Sequence, residues 1–289
     1  MYKATTIGAV LGLGLFVSAQ AAEIDVLFYG GDASQNNFYT SISATAHTYD
    51  PDGDGSNTWN ATIWNDGDPT PVFSNYDALF IGSPGNAFGT GINFNRLLSA
   101  KSDIESARGS RTFLTGQDAD YHYKVSPGPV DNGPRGFIIN AVNWAASGTG
   151  LGIVSMTDGW AGTGSSWWLD INSFLRDELD GYAQYFQDDS VYLGVGQETF
   201  PINEGLTSAG LSNWGISSHS GFLASIPGYE TINFENASSG GRAVTIVTEG
   251  EASGGTDPEE EPRPIPAPGT LLLIAISALG LAVTRRRRV

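Results

Sequence analysis

The chain has 289 residues, 31 acidic against 14 basic, and a formal net charge of −17, which makes a surface that repels nucleic acid and anionic lipid. It contains no cysteine, which excludes disulfides and every mechanism that needs a thiolate as nucleophile or metal ligand. A chain of this length buries a full core without disulfide staples.

The N-terminus carries one basic residue, Lys3, then the apolar run Ile7 to Val17, then the small-residue stretch Ser18-Ala19-Gln20-Ala21-Ala22. The apolar run is too short to span a bilayer, and Ala19-Gln20-Ala21 has the A-x-A form that signal peptidase needs. Residues 1–22 therefore read as a secretory signal peptide cleaved at Ala21 or Ala22, in preference to a buried helix. Its loss, with that of four arginines at the other end, takes the net charge from −17 to −22.

In the body, residues 23–248, short apolar runs each end in glycine and small polar residues. Ile24–Tyr29 leads to Gly30-Gly31-Asp32, Ala61–Trp64 to Asn65-Asp66-Gly67, and Ala78–Ile81 to Gly82-Ser83-Pro84. Thr112–Thr115 leads to Gly116-Gln117-Asp118, and Gly152–Met156 to Thr157-Asp158-Gly159. These are five buried strands entering loops. Between them, Asn93–Ala107 has Phe94, Leu97, Leu98 and Ile104 at helical spacing. In Pro134–Ala146 the proline suits a first helical turn, and Phe137, Ile138, Ala141 and Val142 can face a sheet. Beyond Gly159 the pattern blurs into a Trp- and Gly-rich region, with a helix predicted over Trp167–Leu179 and a last strand over Ala243–Thr248. Strand and helix alternate, which predicts an α/β fold with a doubly wound, flavodoxin-like, mostly parallel sheet whose ligands bind outside the carboxyl ends of the strands.

Residues 249–263 are acidic, hold Glu259-Glu260-Glu261 among Gly, Ser and Pro, and read as a disordered linker. Residues 264–289 then give a Pro-rich element through Pro266-Ala267-Pro268-Gly269-Thr270, the apolar segment Leu271–Val283, and Arg285-Arg286-Arg287-Arg288. This order resembles the PEP-CTERM tail that exosortases handle in Gram-negative bacteria, with Ala267 where that family has glutamate. The resemblance implies recognition by exosortase-type machinery, removal of the tail, and delivery to the cell surface or extracellular matrix. Membrane physics agrees on transit, because an apolar helix closed by four arginines stops in the inner membrane with its basic end in the cytoplasm. The roughly 16 residues from Gly269 to Thr284 make about 24 Å of helix, which also permits a permanent anchor in a thinned bilayer.

The body resembles the class I glutamine-amidotransferase-like superfamily, including its ThuA-like branch. The resembling stretches are Tyr76–Gly82, Thr112–Asp120, Pro201–Leu206, and Trp214 with Ser218-His219. The resemblance places the nucleophile turn at Gly116-Gln117-Asp118-Ala119-Asp120, where an amidotransferase has Gly-x-Cys-x-Gly. With Asp118 in place of the thiol, the residues argue against glutamine hydrolysis by that mechanism.

Four constellations could carry chemistry. Asp118, Asp120 and His122 stand at alternate positions and would share one side of an extended strand. There they could hold a divalent metal or supply acid and base groups; a polar loop satisfying its own backbone is the competing account. His219 lies among hydroxyls and could complete a triad with Ser83 and an aspartate. Asp50, Asp52 and Asp54 with Gly55 match the first half of a calcium loop, but Ala61 stands where an EF-hand has glutamate, so Ca²⁺ competes with a plain acidic turn. Trp160, Trp167 and Trp168, set among glycines, could stack on sugar rings or be buried core. Together these features predict an exported surface or matrix protein with a non-catalytic role toward polysaccharide or calcium. The alternative is an extracytoplasmic hydrolase using Asp118, Asp120 and His122.

Overall fold

The computed structural model describes residues 23–250, apart from 34, 52, 54–55, 85–91, 160–166, 224 and 236–240. The signal and sorting segments lie outside the described residues; within them, no helix is long and apolar enough to cross a membrane.

All five expected strands form: β1 (Glu23–Gly31), β2 (Thr58–Asn65), β3 (Ala78–Ile81), β4 (Arg108–Thr115) and β5 (Leu151–Ser155). They pair in parallel in the order β2-β1-β3-β5-β4. The helices between them are α1 (Asn36–Ala46), α2 (Asn95–Ser99), α3 (Lys101–Ala107), α4 (Ala119–Lys124) and α5 (Pro134–Ala146). The flavodoxin-like order is 2-1-3-4-5, so the last two strands of this block are exchanged. Instead of lying outside β4, β5 returns between β3 and β4.

Chirality explains how the chain still covers both faces. The leftward steps β1→β2 and β4→β5 put α1 and α5 on one face, where Phe38, Ile42, Phe137, Ile138 and Val142 meet Val26, Phe28, Phe80, Phe113 and Val154. The rightward steps β2→β3 and β3→β4 put Phe73, Leu97 and Ile104 on the other, against Leu27, Tyr29, Leu79, Ile81 and Ile153. Alternate residues of each strand supply the two cores, and right-handed crossovers require this sorting of helices.

The rest of the chain extends the sheet with antiparallel strands. These are β6 (Ala183–Asp188), β7 (Val191–Leu193), β8 (Ser218–Phe222), β9 (Glu230–Glu235) and β10 (Ala243–Thr248). β10 runs antiparallel to β4, pairing Thr245 with Thr115, and also pairs β8 and β9. Two helix expectations change. Asn93–Ala107 breaks at Ala100 into α2 and α3, and Trp167–Leu179 is mostly turns, with only α6 (Arg176–Leu179) helical. In the second case Asp170 and Ser173 accept hydrogen bonds from the Asn172 and Leu175 N–H groups, local bonds that compete with helix formation.

Candidate functional site

β4 ends at Thr115, and three strands meet at the Gly116 that follows it. The Gly116 N–H donates to the Val244 carbonyl at 2.7 Å, and its own carbonyl accepts from the His219 N–H at 2.8 Å. A Cβ on Gly116 would stand 1.6 Å from the Ser220 carbonyl oxygen, so only glycine lets β8 approach. That approach carries His219 to Asp118, 101 residues earlier in sequence. The His219 Nε2 lies 3.0 Å from Asp118 Oδ2.

The segment after Gly116 is helical, not extended. Asp118 precedes α4, which puts Asp118 and His122 one turn apart on the same side, with His122 Nε2 3.4 Å from Asp118 Oδ1. His122 Nδ1 is 2.5 Å from the Ser126 carbonyl, and Nε2 also faces the Ile216 carbonyl at 3.2 Å. Asp120 points elsewhere. Its carboxylate accepts from the Ser83 N–H at 2.8 Å and from the Ser83 hydroxyl at 2.9 Å. The expected three-residue set on one face is therefore corrected: Asp118, His122 and His219 come together, while Asp120 joins Ser83. The imagined Ser83–His219 triad is corrected too, since each of these residues has its own aspartate.

The carboxylates and His122 are buried, and His219 is partly buried. Asp118 is 5 % exposed, Asp120 0 % and His122 4 %. Burial, with Asp118 as a neighbouring carboxylate and against the hydrogen bonds from Ser83, pushes the Asp120 carboxyl up to about 6. Burial and the proximity of Asp120 likewise raise the Tyr39 phenol well above its ordinary value.

Sequence reasoning passed over several members of this network. Gln35 donates from Nε2 to the Ser83 carbonyl at 3.0 Å. Thr157 and Ser220 share a hydroxyl contact of 2.7 Å, and Asp158 accepts from the Trp167 N–H at 2.7 Å and the Tyr185 hydroxyl at 3.1 Å. The one available signal was their position, since Gln35, Thr157 and Asp158 all follow strand ends.

Trp167 and Trp168 are both 0 % exposed, which overturns their role as a sugar platform. Trp167 stacks on Phe94; Trp168 stacks on Phe222 and donates from Nε1 to the Ser155 hydroxyl at 2.9 Å. Large apolar rings gain more from filling the core beneath β5 and β8 than from solvent. Trp160 lies outside the described residues. Of the calcium candidates, Asp52 and Asp54 also lie outside, and Asp50 Oδ1 accepts from the Gly53 N–H at 3.1 Å, as an acidic turn does. Among the described residues no group of three His, Cys, Asp or Glu side chains could hold a metal ion, so the divalent-metal version of Asp118, Asp120 and His122 is not assembled.

A groove lies away from the strand ends. It has a volume of about 560 Å³ and is lined by Tyr49, Asp50, Asp131, Asn132 and Arg135 near the end of α1 and the start of α5. Arg135 is held by Asp131 at 2.7 Å and by the Thr45 carbonyl at 2.9 Å. No family model, curated protein or solved structure matches this chain.

Proposed function

We propose that this chain is an exported cell-surface or extracellular-matrix protein with a non-catalytic binding or structural role. In this reading a PEP-CTERM-like tail is processed by exosortase-type machinery, and the body, an offshoot of the amidotransferase-like layout, has given up the chemistry of its strand ends. The observation that carries it is the state of the polar groups at those ends. Asp118, Asp120, His122, Ser83 and Asp158 are buried and hydrogen-bonded to one another or to backbone, as a structural network is. The reading moves polysaccharide contact from Trp167 and Trp168 to the polar groove around Asp50, Asn132 and Arg135. Ca²⁺ at Asp50, Asp52 and Asp54 is part of the same proposal.

The test combines intact mass with fractionation of the protein expressed in its own host. Loss of both ends, with the body in the surface or matrix fraction, supports the reading. A body still carrying Arg285–Arg288 in the inner membrane makes the tail an anchor and removes the matrix role. A calorimetric titration that gives neither heat of Ca²⁺ binding nor a rise in melting temperature eliminates calcium.

One observation favours the hydrolase reading: Asp120, raised to about 6, lies near Asp118, and two carboxyl groups with unlike environments are the makings of an acid–base pair. Turnover by wild type on a glycan or ester panel, abolished in Asp118→Asn, would establish it.

A further inference from the structure

Gln35, at the turn into α1, and Asp120, in the first turn of α4, converge on Gly82 at the end of β3. The connections that follow β1 and β3 step to opposite sides of the sheet, which makes this point the switch point of the parallel block. A Cβ placed on Gly82 would lie 2.5 Å from Gln35 Oε1 and 2.8 Å from Asp120 Oδ2, so both oxygens face the bare side of this glycine. Gln35 Oε1 is buried and has no donor among the described residues. Two acceptors in this position repel each other. Turning the amide over does not help, because Oε1 would then face the Ser83 carbonyl that Nε2 now serves at 3.0 Å.

The charged surroundings do not favour a carboxylate anion either. Asp118 faces Asp120 from the end of β4 as a second carboxylate, Tyr39 faces it from α1, and Asp32 lies near Tyr39 in the β1–α1 turn. The two imidazoles, His122 and His219, pair with Asp118. No Lys, Arg or His pairs with Asp120 among the described residues. The Ser83 N–H and hydroxyl are close donors to its oxygens, and the Tyr121 N–H is a further one.

We propose that Asp120 is a buried proton-binding site, in which the neutral carboxyl group donates its hydrogen to Gln35 Oε1 and so fastens the start of α1 to β3 and α4. One proton resolves every conflict: Ser83 donates to the carboxyl oxygens, Gln35 donates to the Ser83 carbonyl, and the carboxyl O–H donates to Gln35. The upward shift of Asp120 to about 6 agrees with this arrangement. A carboxyl group raised on folding adds stability fully below its ordinary value of about 4, and that stability is lost as the pH rises through about 6. The clasp across the switch point is therefore closed in mild acid and loosens toward neutrality.

The experiment follows the Asp120 carboxyl carbon by ¹³C NMR in the purified protein from pH 4 to 8, with melting temperatures of wild type, Asp120→Asn and Gln35→Met over the same range. In Asp120→Asn the amide N–H takes the place of the carboxyl O–H. The expected result is a wild-type midpoint near 6 that falls by about one unit in Gln35→Met, each unit being a tenfold change in proton affinity. The melting temperature of Asp120→Asn should match wild type near pH 4, exceed it increasingly as the pH rises toward about 6, and keep a constant excess above that. A midpoint in the ordinary carboxylate range, or an Asp120→Asn protein less stable than wild type at pH 8, overturns the proposal. If Gln35→Met does not fold, the wild-type midpoint decides.

Discussion

Replacing Asp118 by Asn separates a structural tie from a catalytic one. The carboxylate faces His219 Nε2 at 3.0 Å and His122 Nε2 at 3.4 Å, and it is buried, so water cannot substitute for a lost partner. Asparagine keeps the shape, removes the charge, and turns an NH₂ group toward one of the two imidazoles. Hydrogen bonds to charged groups contribute about 1.5–3 kcal/mol, so the substitution should cost about 2 kcal/mol. In a domain of this size each kcal/mol moves the melting temperature by about 2–4 °C, giving a drop of about 4–8 °C. Differential scanning calorimetry at pH 7 reads this directly, and a hydrolase panel run on the same samples should show no turnover for either protein. An unchanged melting temperature would refute the structural reasoning, and a wild-type activity that vanishes in the variant would replace it with the hydrolase.

Trp168→Ala should empty a core site beside Phe222 and cost about 3–5 kcal/mol, read by chemical denaturation. Trp168→Phe should keep retention on matrix polysaccharide, and a folded Phe variant that no longer binds would restore tryptophan as a sugar contact. Gly116→Ala should yield no soluble protein on expression, because its Cβ would meet the Ser220 carbonyl oxygen at 1.6 Å. At the opposite end of β4, Arg108 is buried and pairs with Glu178 at 2.5 and 2.9 Å. Glu178→Gln should cost about 2 kcal/mol, below the range for a fully buried pair because Glu178 is about a third exposed. A melting temperature unchanged from wild type would show that water compensates Arg108.

Much of the fold was legible before any coordinates. β1, β3 and β5 are continuous apolar runs, a pattern that buried parallel strands produce on their own, whereas β2, at the sheet edge, is expected as buried but is largely exposed. Helix α5 was bounded correctly because Pro134 opens it and its apolar residues recur at helical spacing. Helix α1, Asn36–Ala46, has Phe38, Tyr39, Ile42 and Ala46 at helical spacing but set among hydroxyl and amide residues with no proline at its start. After Gly159 only β10 was legible, because β6 to β9 are short and antiparallel, with sides set by their partners instead of by a period in the chain.

The site was legible only as a collection of residue types. The sequence by itself determined that a thiol mechanism is absent and that carboxylates and histidines cluster after β4. Tertiary structure decided what they do. Whether Asp120 shares a face with Asp118 depends on the backbone after Gly116, since a helical turn separates side chains that an extended strand would align. Whether His219 reaches Asp118 depends on β8 crossing a glycine 103 residues away, and whether Trp167 and Trp168 meet sugar or core depends on which sheet face lies beneath them. Composition and periodicity report the local chain, whereas charge pairing and burial are set by contacts between segments far apart in it, and those exist only once the sheet has closed.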